Sequence, residues 1–159
     1  MPKLTSDIAA LILRVVAGAI FLPHGWSKIA GDGGAGAFAA DVAANYGIPS
    51  FLGYVAAYAE VVGGVLLVVG LFTRLDALLL GATMFVAAFL VQLPDALFGV
   101  EPGAIKAFVA IRGIELPLAM FAICVALLLT GGGRFSLDRL IVEGLLKKKA
   151  AAEAAAFEA

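Results

Sequence analysis

Four long apolar segments restrict the folds open to this chain more than any other feature of its sequence. A transmembrane helix needs about 20 mostly apolar residues to cross roughly 30 Å of hydrocarbon. The segments that meet this requirement are residues 7–26, 51–72, 75–98 and 105–130. We therefore predict an all-α protein, an integral membrane bundle of four transmembrane helices.

The overall composition agrees with a membrane-embedded chain. Apolar residues make up 63% of it and charged residues 14%, whereas a soluble domain is about half apolar and about a quarter charged. Most of the surface must therefore face something other than water, so the lipid bilayer is the first predicted partner. The net charge of −1 provides no basic face for phosphates, which argues against nucleic-acid binding.

The segment between the first two spans has a different pattern. It opens with Gly-Asp-Gly-Gly at 31–34, after which Phe38, Val42 and Tyr46 recur at a spacing of four. This spacing predicts a short amphipathic helix in the headgroup plane. Only two residues, at 73–74, separate the second and third spans, so these spans are predicted to form an antiparallel hairpin.

Basic residues indicate how the bundle is oriented, because cytoplasmic loops carry an excess of Lys and Arg. Lys28 and Lys106 fall on one side of the predicted bundle. Those on the side of the two termini are Lys3, Arg74, Arg134, Arg139, Lys147, Lys148 and Lys149. We therefore predict a multi-pass protein with both termini in the cytoplasm. Residues 1–141 form the transmembrane domain, and 142–159 form a basic, then Ala/Glu-rich, cytoplasmic tail.

Every predicted span carries a polar side chain that is costly to place in hydrocarbon. An ionisable group there costs about 2.5–3.5 kcal/mol and usually faces the bundle interior. A rise of about 1.5 Å per residue places most of these groups in the outer half of the bundle, under the amphipathic segment. The residues concerned are Arg14, His24, Lys28, Glu60, Gln92, Arg112 and Glu115.

Two interpretations of these side chains stay open. Neutralised pairs, Arg14 with Glu60 and Arg112 with Glu115, would only fix the helix register. The alternative is a ligand-binding or proton-relay site in the outer half, with Arg14 left as a structural buried charge. Small residues such as Gly63 would set register at lower cost, which favours the second interpretation. Its candidates are His24, Lys28, Glu60, Gln92, Arg112 and Glu115.

One histidine and one cysteine, His24 and Cys124, limit the chemistry that the chain can carry alone. A lone cysteine forms no internal disulfide or CxxC motif, and one histidine with scattered carboxylates is not a metal-ligand pattern. We predict no metal and no intrinsic cofactor, and no catalytic residue is assigned. The polar residues could bind an anion, or hydrogen-bond a quinone carbonyl and relay its protons.

Several motifs occur in a fixed order along the predicted spans. They are LRV at 13–15, FLPHGWSK at 21–28, EVVGG at 60–64, GLFTR at 70–74, GIE at 113–115 and GGGRFSLDRL at 131–140. Together they resemble the DoxX family of small bacterial and archaeal membrane proteins. The resemblance implies a four-helix bundle in the cytoplasmic (inner) membrane. Many relatives have a histidine where this chain has Gln92, so a mechanism that needs two histidines is not expected here.

The family resemblance implies a function only in outline. Its members are linked to thiosulfate:quinone oxidoreduction and to membrane complexes that handle thiols and superoxide. We therefore predict a membrane subunit of an oxidoreductase or redox/sulfur-handling system, with a quinone or small-anion site in the outer half. The alternative is a non-catalytic accessory subunit packed against a larger respiratory, photosynthetic or redox complex, or a homo-oligomer. A transporter or channel ranks last, because no inverted repeat is clear and Arg112 would repel cations.

Overall fold

The computed structural model describes residues 2–98 and 104–145, and no strand occurs in these ranges. A π-helical segment interrupts the third span, and the other elements are α-helices. In chain order they are α1 (Pro2–Ala30), α2 (Gly34–Tyr46), α3 (Ser50–Val69), α4 (Thr73–Phe85), the π segment (Val86–Gln92), α5 (Leu93–Phe98) and α6 (Ala104–Thr130).

The described helices include four that are long and apolar enough to cross a membrane. They are Leu4–Ala30, Ser50–Val69, Thr73–Gln92 and Ile111–Thr130. Large apolar side chains such as Ile12 and Leu129 point outward and stay exposed, as expected for contact with lipid. The predicted all-α membrane bundle is confirmed. Most of the predicted tail at 142–159 lies outside the described residues.

The first helix is longer than the sequence predicts. It continues through Pro23 to Ala30, whereas the apolar pattern ends at Trp26. Proline is tolerated in membrane helices because neighbouring groups satisfy the backbone that it frees. The extension keeps Lys28 on the helix, where it faces the bundle.

Glycines allow α1 and α3 to pack closely. A Cβ on Gly18 would lie 2.5 Å from the carbonyl oxygen of Gly64, and one on Gly25 would lie 2.8 Å from the Cβ of Glu60. Small residues at such contacts are typical of membrane helix pairs. The close approach brings Glu60 of α3 directly against the last turns of α1.

The predicted amphipathic segment between the first two spans is a helix, α2. Gly33 and Gly47 flank it with φ of 77° and 65°, values that glycine adopts without steric cost. Its Ala39 packs against Gly53 of α3, where a Cβ would lie 2.7 Å from the Ala39 Cα. The helix therefore covers one end of the bundle, and its position in the headgroup plane stays a prediction.

Residues 131–140 close the opposite end of the bundle, which we call the basic end because Arg74, Arg134 and Arg139 lie there. The Asp138 carboxylate accepts the backbone N–H groups of Phe72 and Thr73, at 2.6 and 2.8 Å. The end covered by α2 is called the pocket end.

Candidate functional site

A buried ion pair lies at the pocket end. Lys28 of α1 donates a hydrogen bond to Oε1 of Glu60 on α3, and their side chains are 24% and 1% exposed. The Lys28 ammonium also lies 5.0 Å from the centre of the Phe38 ring on α2, a cation–π distance. Glu60 Oε2 is buried and has no hydrogen-bond partner among the described residues. One carboxylate oxygen is thus left to accept a bond from a ligand or water.

An apolar pocket of about 440 Å³ opens beside this pair, within the range typical of small-molecule sites. Its walls come from α2, α3 and the third span, including the π segment. Lys28, Glu60 and Thr83 are its polar side chains, and the Thr83 hydroxyl already donates to Leu80 O at 2.8 Å. The other side chains that line it include Phe38, Val42, Leu52, Val55, Leu79, Val86, Leu90 and Val91.

The pocket favours an apolar ligand with a polar head. A ring and tail would contact the aliphatic walls, and a carbonyl or hydroxyl would reach Lys28 or the second oxygen of Glu60. A free anion fits less well, because Glu60 already neutralises the Lys28 charge and the anion would compete with it.

Three of the predicted site residues do not face a common interior. His24 is exposed, and the Arg112 and Glu115 side chains are 65% and 63% exposed, with Arg112 Nε 4.0 Å from Glu115 Oε2. The expectation that all of the candidates are buried together is therefore wrong. The physical reason is helix rotation: α6 turns this face outward, and neither spacing nor depth determines which way a helix face points.

Gln92 links the third and fourth spans. Its side-chain oxygen packs against Gly113 of α6, where a Cβ would lie only 2.6 Å away. Its neighbour Val91 lines the pocket. Gln92 therefore holds the end of the π segment against α6, close to the pocket wall.

Arg14 is fully buried, as predicted, but it does not pair with Glu60. Its Nη2 donates to the carbonyl oxygen of Phe135 at 2.8 Å, at the basic end. Glu60 lies near the pocket end and pairs with Lys28 instead. The proposed Arg14–Glu60 register pair is therefore wrong, because the two residues occupy opposite halves of the bundle.

Asp76 is a buried carboxylate that the sequence analysis missed. It is 4% exposed, and its Oδ2 has no partner among the described residues. Asp76 lies at the start of the third span, where an acidic residue is common in the first turn of a helix. Its sequence position therefore does not mark it as buried. The structure shows that Asp76 faces Gly63, because a Cβ on Gly63 would lie 2.5 Å from Asp76 Oδ1. No sequence pattern indicates this contact.

Metal binding has no support in the described ranges, where no group of three or more His, Cys, Asp or Glu residues could hold an ion. Cys124 is buried and free.

Comparison with known proteins gives one family and two similar relatives. A family model described as DoxX matches residues 9–93. The chain is 33% identical over 138 residues to "Putative oxidoreductase CatD" of Bacillus subtilis (strain 168), covering 87% of this chain and 90% of that protein. It is 29% identical over 139 residues to "Inner membrane protein YqjF" of Escherichia coli (strain K12), covering 87% and 96%. No solved structure gives a significant match.

Proposed function

The chain belongs to the DoxX family, and from this premise we propose that it is a membrane subunit of an oxidoreductase system that binds a quinone in the apolar pocket. The proposal places it in the bacterial or archaeal inner membrane with both termini in the cytoplasm. The word oxidoreductase in the name of the Bacillus subtilis relative supports the reaction class. The word inner in the name of the Escherichia coli relative supports the location.

The observation that carries this proposal is the Lys28–Glu60 pair at the polar end of a 440 Å³ apolar pocket. In this proposal the Lys28 ammonium donates to a quinone carbonyl oxygen. The unpartnered Glu60 Oε2 accepts a hydrogen bond from the hydroxyl of the reduced quinol. Reduction of a quinone takes two electrons and two protons, and a partner protein with a flavin or metal centre supplies the electrons.

The test is quinone binding to the purified protein in lipid nanodiscs, with short-chain ubiquinone and menaquinone as the probes. We expect Glu60→Gln and Lys28→Met to weaken binding at least about tenfold, because a hydrogen bond to a charged group contributes about 1.5–3 kcal/mol. Ala56→Phe, which fills the pocket and leaves the charges intact, should also abolish binding. Asp41→Asn, on the exposed face of α2, is the matched control and should bind as the unmodified protein does.

Two results would overturn the quinone proposal. One is quinone affinity that is unchanged in all three pocket variants while their helical content is preserved. The other is saturable thiosulfate binding that is lost in Lys28→Met and insensitive to Ala56→Phe. That second result would assign the site to a small anion instead.

An accessory role is the second candidate, and the exposed Arg112–Glu115 pair favours it. Charges on a lipid-facing surface are costly, so a partner subunit would cover this face of α6. A photo-crosslinking residue at Leu116, which is 40% exposed, tests this against the same residue at Leu78, which is 55% exposed on α4. Protein adducts at Leu116 and not at Leu78 are expected. Lipid adducts alone at both positions would contradict the role.

A further inference from the structure

We infer that Asp76 transfers protons between the Lys28–Glu60 pair and the basic end of the bundle. The path runs through the interior from Glu60 to Asp76, then past Thr73 to Ser136. The inference rests on the proposed function only in what consumes the protons, which is the quinone reduced in the pocket. Beyond Glu60, the path is defined by residues outside the pocket, and protonation of Glu60 can be measured without quinone.

The first step is the placement of two carboxylates beside the same stretch of α3. Glu60 and Gly63 are three residues apart, about 4.5 Å along the helix axis. The Asp76 carboxylate packs against the Gly63 Cα, with Oδ1 2.5 Å from where a Cβ would stand. Asp76 therefore lies about one turn from Glu60 toward the basic end. Glu60 faces α1, where its Cβ lies against Gly25, whereas Asp76 reaches Gly63 from α4, so the two carboxylates need internal water to connect them.

The second step is the set of unpartnered polar atoms. Glu60 Oε2, Asp76 Oδ2 and Thr73 Oγ1 are all buried, and none has a hydrogen-bond partner among the described residues. Buried polar groups in proteins are nearly always hydrogen-bonded, to protein or to ordered water. Three open positions in succession therefore indicate a line of internal water along α3 and α4.

The third step is the exit at the basic end. Thr73 is three residues before Asp76, one helical turn away. Its hydroxyl and that of Ser136 lie 2.6 and 2.9 Å from the point where a Cβ on Gly132 would stand. Ser136 is 3% exposed and its hydroxyl donates to Gly133 O at 2.7 Å. It also borders an open surface depression of about 380 Å³, through which the path reaches water.

A helix-dipole role does not account for Asp76. A carboxylate in the first turn does interact favourably with the helix dipole, but an exposed one would do so without desolvation. Among the described residues the buried charged side chains are Arg14, Glu60 and Asp76. Arg14 donates one hydrogen bond to Phe135 at the basic end, and its Nε and Nη1 have no partner among the described residues. The guanidinium therefore lies beside the exit, close to Ser136 at Gly70, and the two carboxylates lie along the interior toward the pocket end.

The test is time-resolved infrared spectroscopy of oriented proteoliposomes after a pH jump on the side of the basic end. The carboxylic C=O band that disappears in Glu60→Gln reports protonation of Glu60. We expect Asp76→Asn to slow the appearance of this band roughly 100-fold, the effect typical of removing a positioned proton-transfer group. Asp76→Glu should restore the rate. Thr73→Val, which removes only the hydroxyl, should also slow it, and Asp41→Asn should not.

Unchanged Glu60 protonation rates in both Asp76→Asn and Thr73→Val would overturn the path. Quinone affinity in the same nanodiscs separates the two proposals. Slowed protonation in a protein that binds no quinone supports the path and rejects the proposed function. Unchanged protonation with normal quinone affinity rejects the path and leaves the proposed function intact.

Discussion

Glu60 and Glu115 are the same residue type in two environments, and the environment decides how much each contributes to the free energy of unfolding. Glu60 is buried against Lys28, whereas Glu115 is exposed beside Arg112. Removing Glu60 breaks a charge-assisted hydrogen bond that contributes about 1.5–3 kcal/mol, because the Lys28 left behind is 24% exposed and still reaches solvent. An exposed pair contributes about 0–1 kcal/mol.

Alanine substitution of the two glutamates should therefore give very different stabilities. We expect Glu60→Ala to lower the free energy of unfolding by about 1.5–3 kcal/mol and Glu115→Ala to lower it by less than about 1 kcal/mol. Reversible unfolding of the purified protein in detergent measures both, and Glu115→Ala is the matched control. Equal losses would mean that Glu60 is not held by a buried pair.

Gly70 and Gly47 offer a second comparison at the residue scale. Both have a positive φ, of 72° and 65°, and an alanine there costs about 1–2 kcal/mol in backbone strain. A Cβ on Gly47 meets nothing within 4 Å, whereas one on Gly70 would collide with the Arg14 guanidinium. Gly70→Ala should therefore unfold at clearly lower denaturant concentration than Gly47→Ala. Similar midpoints would show that Arg14 moves aside freely.

The sequence predicts the burial of Arg14 and Glu60, since charges within apolar spans usually face inward, but the same rule fails for Arg112 and Glu115. It names Lys28 and Glu60 as candidates for one site but does not predict that they pair, because Lys28 lies just beyond the predicted end of the first span at Trp26. Partner choice depends on where two helices cross, and that depends on the glycines that bring α1 against α3.

The turn between α3 and α4 is an element-scale feature, because a distant carboxylate caps the second helix. Phe72 precedes α4 with φ of 52°. The Asp138 carboxylate, 65 and 66 residues away in the sequence, accepts hydrogen bonds from the backbone N–H groups of Thr73 and Phe72. Loss of a cap costs about 0.5–2 kcal/mol. Asp138→Ala should lower stability by this amount, whereas Asp41→Ala, which loses an exposed bond from Asn45, should change it little. Thermal unfolding with both variants measures the difference.

The π segment is the element that no sequence pattern indicated. Apolar residues run from Val86 to Val91 without a break, so an α-helix and a π-helix are equally compatible with them. A π segment acts like an inserted residue and is frequent at functional sites. Here it turns Val86, Ala87, Leu90 and Val91 toward the pocket.

Deleting Ala87 should convert the π segment to a regular helix. The helix that follows would then keep its direction relative to α4, while the side chains within the segment would lose the bulge that turns them toward the pocket. We expect the helical content to persist, while quinone binding to the purified protein falls at least as far as in Ala56→Phe. Leu78→Ala, on the exposed side of α4 and outside the pocket lining, is the control. Normal quinone affinity in the deletion variant would show that the π segment is not needed for the binding site.

At the scale of the whole molecule, the two ends of the described bundle are closed in different ways. At the basic end, residues 131–140 bind α1 through Asp7, which accepts the Arg134 N–H at 2.9 Å, and bind α4 through Asp138. At the pocket end, α2 lies across the bundle and an apolar pocket remains beneath it. This asymmetry suits a protein that takes a ligand from one leaflet and is anchored at the other.

The orientation of the two ends in the membrane is testable by cysteine labelling, because the native cysteine should not react. Cys124 is fully buried, so an impermeant maleimide should label only an introduced cysteine. From the excess of basic residues at the basic end, Asp32→Cys between α1 and α2 should be labelled on intact cells. Arg134→Cys should be labelled only after the membrane is permeabilised. The opposite pattern would place the pocket in the cytoplasmic leaflet, and protons supplied from the basic end would then come from outside the cell.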